Sequence, residues 1–200
     1  PDNAEWGVML PYTPLHHLLF DAGAPDLLVM TSANRSSEPI AYQDDEALGH
    51  LTGIADAFVI GERPIARRVD DSVVSVFDGK PVIFRRARGY APSPVIHSER
   101  FTKPVLALGA GLKNAITLVT GGYAFVSQHL GDLDNYDSFV AFQETVQDLT
   151  TMYNVDLENT LIVHDLHPDY PSSRYAGELP GKKIAMQHHE AHLASVLAEH

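Results

Sequence analysis

The sequence contains no cysteine among its 200 residues. Disulfides, thiolate nucleophiles, thiolate zinc sites and cysteine-ligated iron–sulfur clusters are therefore excluded from it, and any metal must be held by His, Asp or Glu. Basic residues are also scarce, 14 Lys and Arg against 26 Asp and Glu, and the net charge of −12 opposes nonspecific nucleic-acid binding. No apolar run approaches the ~18 residues of a membrane span. The stretch Pro1 to Trp6 is polar and acidic rather than a charged-then-apolar export signal. These absences predict a cytoplasmic protein with no membrane or nucleic-acid partner. With 44% hydrophobic and 20% charged residues, the mixture is that of a folded globular chain rather than a disordered one.

The charge that is present is unevenly spread. Residues 62–103 carry nine of the basic residues and five acids, a local +4 that leaves −16 for the rest. A basic strip on an acidic protein suits a small anionic ligand better than a polyanion. The same region runs into Gly89–Pro104, which has three prolines, turn-forming residues and little periodicity, the composition of a linker. We place the boundary there: one domain over 1–92, a linker over 93–103, and a second domain over 104–200.

In the first part, Thr13-Pro14 opens a helix carrying Leu15, Leu18 and Leu19, which Gly23 stops, and an apolar strand is predicted over Leu27 to Met30. Asp44 to Leu51 reads as a helix and Ala57 to Ile60 as a strand. Residues 72–77 and 81–84 read as a hairpin around Asp78-Gly79. After the linker come three β-rich runs, Val105–Gly109, Ala115–Thr120 and Tyr123–Ser127, with Gly121-Gly122 as a hairpin turn. A long helix follows, N-capped by Asn135, with Phe139, Phe142, Val146, Leu149 and Tyr153 spaced three or four apart. Strand Leu161–His164, a helix near Pro171–Gly177, strand Lys183–Met186 and a helix from His188 complete a βββαβαβα order. That order is the topology of the ribonuclease-H-like lobe of actin-like ATPases.

Four constellations can carry chemistry. The loop Met30-Thr-Ser-Ala-Asn-Arg-Ser-Ser37 follows an apolar strand and offers donors for phosphate or carbonyl oxygens, with helix capping as the alternative role. Arg63, Arg67-Arg68 and Arg85-Arg86-Ala87-Arg88 can converge on a triphosphate or adenylate, or can pair internally with Asp70 and Asp71. His188 and His192, at i and i+4, share a helix face within reach of one metal ion, while Glu190 points elsewhere, with a surface or capping role as the alternative. Two ligands do not complete a site, so a third must come from another segment, such as Asp165-Leu-His167-Pro-Asp169, or from outside the sequence. The turn Gly109–Asn114, with Lys113, fits the position that faces nucleotide phosphates in the actin-like fold, with a simple β-turn bearing an exposed lysine as the alternative.

Six segments in this order closely resemble the HypF family of hydrogenase-maturation carbamoyltransferases: 10–19 (LPYTPLHHLL), 31–40 (TSANRSSEPI), 63–74 (RPIARRVDDSVV), 85–92 (RRARGYAP), 165–170 (DLHPDY) and 187–195 (QHHEAHLAS). The resemblance implies that 1–92 is the latter part of a YrdC-like α/β domain. It likewise implies that 104–200 is the first, ribonuclease-H-like lobe of an actin-like carbamoyltransferase domain. It further implies ATP-dependent conversion of carbamoyl phosphate to carbamoyl adenylate. Transfer then goes to the C-terminal cysteine of the partner protein HypE, the precursor of the hydrogenase cyanide ligand.

On that resemblance, Ser32 and Asn34 hold ATP phosphates or the carbamoyl carbonyl. Arg68, Asp71, Ser72 and Arg85 face the adenylate; Lys113 is placed by the phosphates on its actin-like turn position rather than on the resemblance. His188 and His192 ligate a divalent metal, iron or zinc, that clamps phosphate oxygens, while magnesium accompanies ATP. No catalytic acid or base is assigned. Glu190 stands where the family usually has His, and Ser37 replaces a loop glycine. The family's remaining domains, including the second actin-like lobe, are not in these 200 residues, which are expected to be inactive alone and to be a fragment. An antibiotic O-carbamoyltransferase is disfavoured by domain order, and a noncatalytic nucleotide-binding module is the alternative of a different class.

Overall fold

The computed structural model describes residues 4–36 and 38–199; Ser37 lies outside the described residues. It divides into two compact units, Pro1–Ser32 and Ala33–His200. The first holds helix α1, Pro14–Asp21. Thr13 caps it by accepting the His16 N–H at 3.3 Å, and Pro14 occupies the first turn, where no backbone donor is needed. The predicted strand over Leu27–Met30 is not formed, and Leu27, Val29 and Met30 are exposed. A strand exists only through its ladder, and an apolar run without a neighbour to pair with stays irregular.

The second unit opens with helix α2, Asp44–Leu51, started by a capping box between Gln43 and Glu46 with three acids in the first turn, where the helix dipole favours negative charge. The predicted strand at Ala57–Ile60 is absent for the same reason as the first, and Val59 is exposed. The hairpin does form, as β1 (Val73–Phe77) and β2 (Lys80–Arg85). Its turn residues Asp78 and Gly79 have φ of 49° and 72°, the pair of positive values that matches strand twist in a two-residue turn.

A six-stranded sheet organises the remainder, in the order β3-β6-β5-β4-β7-β8. Its members are β3 (Pro94–His97), β4 (Val105–Ala107), β5 (Thr117–Thr120), β6 (Tyr123–Val126), β7 (Leu161–Asp165) and β8 (Lys182–Met186). The β4, β5 and β6 run is antiparallel, whereas β7 and β8 join in parallel after helices α3 (Tyr136–Met152) and α4 (Pro171–Glu178). The expected βββαβαβα order is therefore present, ending in α5 (His188–Glu199). Strand β3, inside the stretch read as linker, pairs antiparallel with β6 and extends the sheet at that edge.

Helix α3 packs on the sheet through the predicted stripe. Phe142, Val146 and Leu149 are buried against Leu106, Leu108, Ile116, Leu118 and Ile162, and Phe139 and Tyr153 flank them. Asn135 caps the helix by accepting from the amides of Asp137 and Ser138. This core fixes β4 and β7, and the parallel ladder with β7 carries β8, so that the candidate site is built from the ends of these strands.

Candidate functional site

Strands β7 and β8 are parallel neighbours, with Asp165 opposite Met186, so both chains leave the sheet at the same end. Carboxyl ends of parallel strands are where ligands bind in α/β folds. Two residues past Met186, His188 begins α5. Its Nδ1 lies 2.6 Å from Asp165 Oδ2, and its Nε2 lies 3.1 Å from His192 Nε2 one turn on. The i, i+4 spacing thus does put both imidazoles on one face, as the sequence predicts.

Asp165 is buried, whereas the His188 side chain is half exposed. Burial alone would push the Asp165 carboxyl up. The His167 amide at 2.8 Å, the His188 hydrogen bond and the electrostatic attraction of the two imidazoles outweigh it and hold the acid below its ordinary value. The carboxylate is therefore the resident form, an acceptor for ring N–H.

The glycine turn lies beside this pair. Asn114, buried, donates through Nδ2 to the carbonyls of Leu108 and Ala110, and Ser172 Oγ donates to those of Gly109 and Ala110. Gly109 has φ of 67°, and a Cβ there would sit 2.7 Å from Asn114 Nδ2 and 2.8 Å from the Ala115 carbonyl. At Gly111 a Cβ would press on the Tyr170 ring at 3.1 Å. That ring stacks on His167 at 4.5 Å and stands 6.4 Å from His188. Turn, aromatic and histidine pair therefore form one connected surface. Lys113 stands exposed on the turn at φ 48°, its amide bound to Asp132 Oδ1.

The basic strip is organised by internal pairing. Arg85 binds Asp70 at 2.8 Å, and Arg88 lies 3.5 Å from Asp71. Ser72 clips two segments together by accepting the Ala87 N–H and donating to the Arg88 carbonyl. Arg68 binds Glu46 at 3.0 Å and lies over the Tyr42 ring, and its buried Nε has no partner among the described residues. Asn34 closes its own loop by donating to the carbonyls of Arg35 and Glu38. Ser32 ends the first unit, exposed. Sequence reasoning missed His129. This half-buried ring has its pKa pushed down by burial first and then by the Arg85 charge, opposed by Asp70.

The donor set fits half of a metal site. Two nitrogens each about 2.1 Å from one cation stand roughly 3.0–3.4 Å apart, which brackets the observed 3.1 Å. Among the described residues no third His, Asp or Glu joins them. Asp165, weighed above as a third ligand, instead occupies the opposite nitrogen of His188. For ATP, the fitting observation is the buried Nε of Arg68, which has no partner among the described residues.

Residues 100–199 match the family described as the HypF Kae1-like domain. The chain belongs to the HypF family. Residues 1–87 match the Sua5/YciO/YrdC family, described as telomere recombination. Carbamoyltransferase HypF of Synechocystis sp. is 44% identical over 200 residues, which cover 100% of this chain and 26% of the relative. Its namesake from Rhodobacter capsulatus is 45% identical over 205 residues, covering 100% and 27%. A solved structure of full-length HypF in the phosphate- and nucleotide-bound form superposes with a TM-score of 0.88 at 44% identity, covering 97% of this chain and 25% of that one. The T. kodakarensis HypF structure gives 0.87 at 37%, covering 96% and 26%. The chain thus spans about a quarter of the length of the HypF relatives it matches. The expected fold, YrdC-like followed by an actin-like lobe, agrees with these matches. No helix among the described residues is long and apolar enough to cross a membrane.

Proposed function

We propose that the complete protein is a carbamoyltransferase of nickel–iron hydrogenase maturation, and that this chain supplies part of its adenylating site and half of its transfer site. The observation that carries the reading is the meeting of the glycine turn and the His188–His192 pair at one sheet end, in a chain of the HypF family.

In the adenylating step, carbamate released from carbamoyl phosphate attacks the α-phosphorus of ATP. The carbamate oxygen forms the new P–O bond and pyrophosphate departs. Arg68 and Arg85 are the residues we assign to the charge that develops on the leaving group. A guanidinium has five N–H donors, and the Asp70 bond engages one nitrogen of Arg85. Asn34 spends both of its amide N–H groups on its own loop, while Asp71 and Ser72 hold the Arg88 segment in register. In the transfer step, the C-terminal thiolate of HypE attacks the carbamoyl carbon, the C–O bond to AMP breaks, and the thiocarbamate forms. We assign the exposed Lys113 of the turn to phosphate. A divalent cation on His188 and His192 would neutralise phosphate oxygens there.

The test is carbamoyl-phosphate-dependent conversion of ATP to AMP and pyrophosphate by the complete gene product, beside a His188→Ala/His192→Ala variant. We expect the parent to release pyrophosphate, and the double variant to release it too but to leave the HypE cysteine unmodified. A parent that binds ATP yet shows no dependence on carbamoyl phosphate would leave the noncatalytic binding module as the surviving alternative.

A further inference from the structure

We propose that Asp165 is a positioning residue for the histidine pair: it fixes the ring and tautomer of His188 so that Nε2 presents its lone pair to the cation. The inference rests on the metal reading of the preceding section and deepens it.

The two partners differ in how firmly they are held. His188 begins α5 and is half exposed, so its ring has little packing to fix its rotation. Asp165 closes the buried end of β7, with about 6% of its side chain exposed. Its Oδ1 accepts the His167 amide at 2.8 Å, its carbonyl accepts from Ser173 Oγ at 2.9 Å, and the next amide, Leu166 N–H, binds the Met186 carbonyl at 2.9 Å. The backbone at Asp165 is thus tied down on both sides, and one bond, from the His167 amide, holds the carboxylate itself before Oδ2 reaches Nδ1 of His188 at 2.6 Å.

An ionised carboxylate only accepts hydrogen bonds. Opposite it, Nδ1 must carry the proton, which leaves Nε2 of the neutral ring as a lone pair, on the side facing His192 Nε2. The parallel register Asp165–Met186 supplies this contact across 23 positions of sequence. Carboxylate partners behind metal-bound imidazoles commonly contribute ten- to a hundredfold to metal affinity. In this arrangement Oδ2 of Asp165 sits on Nδ1, across the His188 ring from the Nε2 that faces His192, so it supports the ring rather than the ion.

The experiment measures Co²⁺ binding to the complete gene product by ligand-field absorption and metal analysis, for the parent, Asp165→Asn and His192→Ala. Asparagine keeps an oxygen for the His167 amide but can place an NH₂ opposite Nδ1, driving the ring proton to Nε2. We expect Asp165→Asn to bind Co²⁺ roughly ten to a hundred times more weakly than the parent, measured where the metal-free variant is folded. Binding within threefold of the parent overturns the inference while leaving the metal reading intact. A parent whose Co²⁺ uptake is indifferent to His192→Ala removes the metal reading and the inference with it. Should Asp165→Asn unfold, the crystal structure of the Co²⁺-loaded parent decides. A carboxylate on Nδ1 supports the positioning role, and a carboxylate on the cobalt overturns it.

Discussion

Arg67 Nε donates to Asp148 Oδ2 at 2.7 Å, joining the basic strip to helix α3 across 81 positions. Both side chains are about half exposed, so water and salt screen the pair. A double-mutant cycle with Arg67→Ala and Asp148→Ala, read by denaturant unfolding, is expected to give a coupling of about 0.2–1 kcal/mol that shrinks with added salt. A coupling that persists at high salt would mean the contact is shielded from solvent.

Phe142 is the opposite case. Fully buried, it stacks on Phe139 at 5.8 Å and meets the Tyr175 ring at 5.5 Å. Phe142→Ala is expected to destabilise the protein by roughly 3–5 kcal/mol, read as a drop in the denaturant midpoint. A loss under ~1 kcal/mol would show that the α3 interface collapses to fill the gap.

At Gly109 stability and function should fall together. Gly109→Ala places a methyl against the Ala115 carbonyl and asks an L-residue to hold φ of 67°. We expect about 1–3 kcal/mol of destabilisation and weaker binding of an ATP analogue, measured by calorimetry. Unchanged nucleotide binding in a folded variant would remove this turn from the phosphate site.

The His129 shift makes stability depend on pH. Burial first, then Arg85, lowers its native pKa below the ordinary 6.5. Between those two values the unfolded chain binds more protons than the native one, so stability rises with pH across that window. Acidification from pH 7 through about 6.5 should therefore lower the denaturant midpoint until the native value is passed, where this contribution levels off. His129→Gln should flatten that segment of the profile, and an unaltered slope would assign the dependence to other groups.

Much of this architecture is legible in the residues. Helix α3 announces itself because Phe139, Phe142, Val146, Leu149 and Tyr153 follow helical spacing, and the β1–β2 hairpin because Asp-Gly is chemically suited to two positive φ values. The histidine pair is visible because i and i+4 is a local rule. What failed was whatever depends on a distant partner. Leu27–Met30 and Ala57–Ile60 have strand composition but no ladder, while Pro94–His97 looks like loop yet finds β6. Asp165 could be singled out by its motif, but the nitrogen it addresses is decided by strand register, which no local pattern encodes. Similarly, nothing local says that Arg68 will rest on Tyr42 and pair with Glu46.

The β3–β6 ladder has a mechanical consequence. The stretch leading from the hairpin into the large sheet is itself pinned to that sheet, through Pro94–Phe125, Ile96–Ala124 and His97–Tyr123. The His129 amide adds a bond to the Arg86 carbonyl. Tension applied across residues 88 to 105 would therefore meet cross-linked backbone rather than slack chain, and the connection transmits torque as a weld does. Any swivel between the hairpin and the sheet would first have to peel β3 away from β6.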